Sequence, residues 1–537
     1  MKHLLYSLLL GSAVAFTSCT DKLNDKHDDP DAFTSTKIEY LFAQGAQKTI
    51  ENDYGDMYTY TFRRFGNYVQ VTARQTGTDR MNLYDIQSDL GRWENYYVTR
   101  MGSLTEIDKI YATLSSDEQA AYRNYAEGAK VLEAYNTAIA TDFFGNMPYS
   151  EAFTARNAIY GGAVILKPKY DTQKDIYYSI LDDLREAADY FKTNPASDDA
   201  FRRQDIIYSG DVAKWAKFAN SLRLRYAMRI SNVDPDKAKE VLGSLNVNDL
   251  IINNSDNAYL TVSGQETAPD GIWRAMNESH SKSQGYYMYA PQGMVDRMTA
   301  AADPRLPVFF QPGVDDDGNV VDPTQPIKGY PSSADDAIAL INSTPDNGVN
   351  LYKEYAAYSS ITFRKNYHLP VGIGMTAAET YFCLAEAAAR NLISGDAESY
   401  YNKGVILSIQ NYYTYYKDSD ATGKDANIVN ADVSDATLST WLAGSTYKFD
   451  SSKALEQIAT QKWMHLNILQ IYENWAEYRR TDLPVLDDDR EKGSLLNKEK
   501  APVRVLYPSK EASMNTANYN AQSEYNKISV RLWWDTK

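Results

Sequence analysis

GMTAAETYFCLAEAAARNLISGDAESYYNKGVILSIQNYY, Gly374 to Tyr413, decides the fold class. Thr376 and Glu379 stand at capping-box spacing ahead of an apolar run and mark where a helix begins. Ser394, Gly395 and Asp396 then break the pattern, because glycine suits the end of one helix and aspartate the cap of the next. Ala385, Ala388 and Ala389 are small enough for neighbouring helices to approach closely. The stretch reads as an αα-hairpin of about the length of one tetratricopeptide unit, without that repeat's Trp-Leu-Gly-Tyr pattern.

The same helical period recurs along the chain. From Ser115 to Asn146 a capping box of Ser115 and Glu118 precedes Tyr122, Tyr125, Ala129, Leu132, Tyr135, Ile139 and Phe143 on one face, and Gly145 ends the pattern. Asp171 to Phe191 places Ile176, Ile180, Leu184, Ala187, Ala188 and Phe191 together, and Gly210 to Ser231 does so with Trp215, Phe218, Leu222 and Tyr226. Ala454 to Arg480 reads as one last long helix, with Pro484 stopping it. Residues 245–285 and 302–370 are rich in Asn, Asp, Gly, Pro and Ser and read as loops with short strands. The expectation is an all-α chain with a loop-rich, irregular half, and binding sites concentrate on such loops.

The 537 residues carry 55 basic and 71 acidic side chains, a formal charge of −16 that repels phosphate backbones and excludes nucleic acid as a partner. One of the two cysteines, Cys19, follows MKHLLYSLLLGSAVAFTS, Met1 to Ser18. Lys2, an apolar core and small residues make that opening a secretory signal, too short for a spanning helix. Phe16, three residues before Cys19, is too large for ordinary cleavage there, which favours a lipoprotein signal over residues 1–18. Cys19 then becomes the lipidated first residue, each buried CH₂ of its acyl chains contributing roughly 0.8 kcal/mol. An ordinary signal with an incidental Cys19 is the alternative. Residues 19–33 are acidic and poor in apolar side chains and read as a flexible tether, leaving 34–537 as the body. Cys383 is then the remaining thiol, so neither an intrachain disulfide nor a cysteine metal site is expected.

Several motifs have simpler readings. Gly372, Gly374 and Ala377 spell G-x-G-x-x-A, but Pro370 and the following αα-hairpin deny it a βαβ unit, and it reads as a turn leading into a helix. Asp315, Asp316, Asp317 and Gly318 lack calcium-loop spacing and read as a hairpin turn. The histidines show no metal spacing, and neither a nucleophile elbow nor a P-loop is present, so no cofactor, metal site or catalytic residue is assigned. Paired carboxylates of a glycoside hydrolase are recognised in space rather than in sequence and stay open.

Tyrosine outnumbers phenylalanine by 43 to 16, and its flat face and polar tip suit wet binding surfaces. GIWRAMNESHSKSQGYYMYAPQ supplies Trp273, Arg274, Tyr286, Tyr287 and Tyr289 as ligand-binding candidates, and QTGTDRMNLYD supplies Arg80 and Tyr84. Burial in the core is the competing reading for each aromatic.

Six ordered blocks carry a family resemblance: DFFGNMPYSEAF at Asp142 to Phe153, KWAKFANSLRLRYAMRIS at Lys214 to Ser231, AEAAARNLISGDAESYYNKGV at Ala385 to Val405, QKWMHLNILQIYENWAEYRRTDLPVL at Gln461 to Leu486, PVRVLYPSKEASMN at Pro502 to Asn515, and WWD at Trp533 to Asp535. Together they resemble the SusD/RagB outer-membrane lipoproteins of the Bacteroidota, in the SusD-like branch described as starch-binding. The resemblance implies an all-α body of four tetratricopeptide-like helix pairs with an irregular ligand-holding half. It also implies a non-catalytic, nutrient-binding surface lipoprotein, anchored through Cys19, that captures an oligosaccharide or a peptide. Its implied partner is a SusC-like TonB-dependent transporter, over which it acts as a hinged lid for nutrient uptake. Lys22 and Lys26 interrupt the acidic stretch that marks surface export in such proteins, and of the family's functional residues only Cys19 transfers. A surface hydrolase and a helical adaptor with only protein partners are the alternatives.

Overall fold

The computed structural model describes residues 37–50, 54–73, 86, 88–196, 198–260, 271–279, 288–316, 318–370, 372–486 and 501–537. Among these, the α-helices of nine residues or more are α1 (Ile38–Ile50), α2 (Met101–Thr113), α3 (Ser116–Phe144), α4 (Gln173–Thr193), α5 (Val212–Ile230), α6 (Pro235–Gly243), α7 (Gly271–Ser279), α8 (Gln292–Ala300), α9 (Ala334–Ser343), α10 (Ala377–Ala389), α11 (Ala397–Asp418), α12 (Asp435–Gly444), α13 (Ala454–Leu466) and α14 (Ile471–Thr481). Four pairs pack as hairpins: α2 with α3, α4 with α5, α10 with α11, and α13 with α14. Contacts of α3 with α4, α5 with α10 and α10 with α13 join the pairs into one stack. The four short strands among the described residues form two antiparallel pairs, β1 (Ala258–Leu260) with β4 (Gly372–Met375) and β2 (Phe310–Gln311) with β3 (Ala357–Tyr358). The fold is all-α, and none of these helices is long and apolar enough to cross a membrane.

Local signals explain most helix starts. The Ser115 N–H donates to Glu118 Oε2 at 2.9 Å while the Glu118 N–H donates to Ser115 Oγ at 3.4 Å, a complete capping box. At α10 only half of the box forms: Thr376 Oγ1 accepts from the Glu379 N–H at 3.2 Å, but the Glu379 carboxylate turns inward to Arg225 Nε at 2.7 Å. A buried guanidinium outcompetes a backbone amide for that carboxylate. The G-x-G-x-x-A segment, read from sequence as a turn, is instead a strand, β4, paired antiparallel to β1, an arrangement that is not a βαβ unit. Gly374 is there because a Cβ would lie 2.7 Å from the Phe218 ring. Around Asp315 a hairpin turn forms as read, with Val314 bridged to Val320 and Gly318 at φ +80°.

Two further expectations need correction. The helix read across Ala454 to Arg480 is two helices, because Asn467 takes φ +42° and its side-chain oxygen accepts the Tyr358 hydroxyl at 2.7 Å. That tertiary bond pins a left-handed residue where the apolar period runs on unbroken. The segments read as loops also contain α7 and α9; Ser333 caps α9, its Oγ accepting from the Asp336 N–H at 3.1 Å.

Inside the stack runs a network of opposite charges. Arg229, wholly buried, donates to Glu473 at 2.6 Å and to Glu477 at 3.1 Å, and its Nε lies 3.5 Å from Asp142. Arg480 forks onto Glu386 at 2.7 and 2.6 Å, and Lys462 lies 3.0 Å from Glu477. The network ties α3, α5, α10, α13 and α14 together, which explains the charged residues on otherwise apolar helices. An interior cavity of about 50 Å³ beside it, lined in part by Arg225, Glu473 and Tyr226, has room for a few waters and none for a sugar ring.

His465 sits at the heart of this region, 3% exposed, with Nε2 2.7 Å from Thr376 Oγ1 and Nδ1 3.0 Å from Ser408 Oγ. Burial, reinforced by Arg305 and Lys462, pushes its imidazole down to about 3 from an ordinary 6.5. The folded state therefore refuses a proton that the unfolded chain accepts below 6.5, and stability present above that pH is lost as pH falls toward 3. Asp183, pushed up to about 6 chiefly by burial, titrates with the opposite sign, so the comparison must be with a variant. Between pH 6.5 and 5.5 the protein is expected to lose about 1 kcal/mol more stability than His465→Gln, measured by urea unfolding. Parallel pH profiles for the two proteins would refute the assignment.

Candidate ligand-binding face

YGDMYTYTFRRF, Tyr54 to Phe65, is a short α-turn, Tyr54–Asp56, running into a wider π-helical segment, Met57–Phe65. Residues four apart share a helix face, and Tyr54 and Tyr58 stack with centroids 5.6 Å apart and planes at 22°. Helix α7 packs against this segment and brings Arg274 over the Tyr54 ring, 4.0 Å from its centroid. Arg63 covers Tyr58 at 4.9 Å. The result is a ladder, Arg274, Tyr54, Tyr58, Arg63, in which cation–π contacts flank a tyrosine pair. The Arg274 side chain is 50% exposed and both tyrosines are half-buried.

Glu278, one turn beyond Arg274 on α7, holds the ladder in place. Its Oε1 accepts from Arg274 Nε at 3.1 Å and its Oε2 accepts the Tyr54 hydroxyl. Burial and that carboxylate push the Tyr54 phenol up to about 12, so it stays a neutral donor. Behind the ladder, Asp56 pairs with buried Arg92 and accepts the Tyr472 hydroxyl at 2.5 Å, which ties the segment to α14. An aromatic pair fixed from two sides is preorganised, and a flat ligand face reaches either ring by displacing the guanidinium that covers it.

Of the residues singled out in sequence, Arg274 lies in this ladder. Trp273, its neighbour on α7, points the other way: it is 1% exposed and its indole N–H donates to the Asn366 carbonyl at 2.8 Å. Tyr289 is 2% exposed and stacks on Tyr330, centroids 4.5 Å apart and planes at 18°. In this conformation neither ring offers a face to a ligand. Cys19, Arg80, Tyr84, Tyr286 and Tyr287 lie outside the described residues. Tyr54 and Tyr58 were missed in sequence, although the density of tyrosine and arginine in YGDMYTYTFRR is a usable signal.

A stack of four helix pairs, with a tyrosine–arginine ladder between α7 and the Tyr54–Phe65 segment, defines a helical protein with a candidate binding face. The family described as starch-binding and associating with the outer membrane, the SusD-like family, matches residues 30–508, and the chain belongs to it. Its members are binding proteins rather than enzymes. Among solved structures, a chitin-binding protein 23% identical superposes with a TM-score of 0.74 over 93% of this chain and all of that one. A SusD-like protein of the Bacteroidetes, 25% identical, does so at 0.71 over 94% of this chain and all of its own. A SusD homologue from Bacteroides uniformis, 24% identical, gives 0.68 over 93% and 99%. No protein of curated function matches the chain at a significant level.

Proposed function

We propose that this protein is a surface lipoprotein that captures an oligosaccharide and closes as a lid over a SusC-like TonB-dependent transporter. The observation that carries the reading is the tyrosine–arginine ladder: when the half-exposed Arg274 swings off Tyr54, that ring takes the apolar C–H face of a sugar while the guanidinium takes its hydroxyls. The family's association with starch and the outer membrane, and the likeness to a chitin-binding protein, support a glycan over a peptide. In this reading residues 1–18 are removed on export, Cys19 carries the lipid, and residues 19–33 give the lid its reach. The chain acts by binding and performs no reaction on the glycan.

Purification of the C-terminally tagged chain from native outer membranes in mild detergent tests the partnership. One stoichiometric large β-barrel should co-purify, and Cys19→Ala should release the protein from the membrane fraction. A correctly localised chain that brings down no barrel would remove the lid reading. Release of product from a labelled oligosaccharide would replace the binder with a hydrolase.

A further inference from the structure

A second pocket lies on elements separate from the ladder. It is open, about 370 Å³ in volume, and set between the last turn of α8, residues 446–450 and the first two turns of α13. That volume is within the range of small-molecule sites. Its floor contains Gln461, 1% exposed, whose Oε1 accepts from Arg305 Nη2 at 2.7 Å. Arg305 is a donor only and is held by Asp303 at 2.6 Å and Ser408 at 3.0 Å, so the amide oxygen must face it. The Gln461 NH₂ is thereby turned away from Arg305, and it has no acceptor among the described residues. A buried donor left in that state favours a ligand that brings an acceptor.

The rim is cationic. Lys448 and Lys453 are exposed, line the pocket, and form no ion pair among the described residues. Asp450 faces the same space, but its Oδ1 already accepts from the Ser452 N–H at 2.9 Å and from Ser452 Oγ at 2.7 Å. With Arg297 and Glu456 the lining counts three cations against two anions, net +1, on a chain of −16. Gln457 braces the rim, its Oε1 accepting from the Asp450 N–H at 2.8 Å and its Nε2 donating to the Lys448 carbonyl at 2.9 Å. The two tyrosines of the lining, Tyr401 and Tyr447, are 0% and 8% exposed and offer no stacking face.

We infer that this pocket binds a small acidic sugar of the hexuronate class. Lys448 and Lys453 take the carboxylate, and a ring hydroxyl accepts from Gln461 Nε2. Recognition here is by charge and hydrogen bonding, whereas the ladder recognises by stacking, so the two sites select different groups.

The test is titration of the purified protein with D-glucuronate, D-glucose and acetate, followed by saturation-transfer NMR. Glucuronate should bind about tenfold or more tighter than either glucose, which lacks the charge, or acetate, which lacks the ring. The double variant Lys448→Ala, Lys453→Ala removes two exposed side chains, so it should stay folded and lose about tenfold or more in glucuronate affinity. Tyr54→Ala should leave that affinity unchanged. Equal binding of glucose or acetate, undiminished binding by the double variant, or no saturable glucuronate signal would each overturn the assignment.

Discussion

Arg229→Met is expected to lower the unfolding free energy by about 3–5 kcal/mol. The side chain is wholly buried among Glu473, Glu477 and Asp142. Methionine restores most of the volume, so the loss comes from charge: Glu473 and Glu477 remain buried with one counter-ion fewer. Burial alone raises a carboxyl, yet neighbouring arginines hold Glu477 well below the usual carboxylate range, so it keeps its charge and the repulsion has no outlet. The measurement is urea unfolding at pH 7.5, with Lys192→Ala as the control. Lys192 pairs with Asp249 at 2.6 Å on the surface, 61% exposed, and its removal should leave the unfolding midpoint essentially unchanged. A loss below about 1 kcal/mol in Arg229→Met would mean that the network is structurally dispensable.

The second large effect is on binding. On whichever glycan the purified protein retains from a panel of α-glucan and chitin oligosaccharides, Tyr54→Ala, Tyr58→Ala should lower affinity by roughly thirtyfold or more, the scale of an aromatic hot spot. Arg274→Ala should weaken binding less, since it removes one guanidinium and the clamp on Tyr54 but leaves both rings. Trp273→Phe supplies the contrast: it deletes the buried bond to Asn366 and should change stability without changing affinity. Full affinity in the double tyrosine variant, with an unchanged circular dichroism spectrum, would place the ligand elsewhere.

The helical pairs were legible because their signals are local. Ser115 and Glu118 cap each other within one turn, and the apolar period of α3, α4, α5, α10 and α11 repeats over many turns. The break at Asn467 was illegible because its cause is the hydroxyl of Tyr358, more than a hundred residues away in sequence. Trp273 misled for a related reason. It lies among loop-forming residues, yet α7 forms there by packing on Met57–Phe65, and the helix aims Trp273 inward while Arg274 beside it faces out. The ladder needs both elements, so neither YGDMYTYTFRR nor GIWRAMNES announces it alone.

By itself, then, the sequence determined the all-α class, the hairpins and their caps, the acidic character and the motif order that assigns the family, since these depend on neighbours within a few residues or on composition. Tertiary structure alone decided which aromatics are buried, where Glu379 sends its carboxylate, how the charges of Arg229 and Glu477 are satisfied, and which tyrosines form a platform. Each of those outcomes is a competition between groups distant in the chain, and burial sets the winner by removing the water that would otherwise satisfy all of them equally.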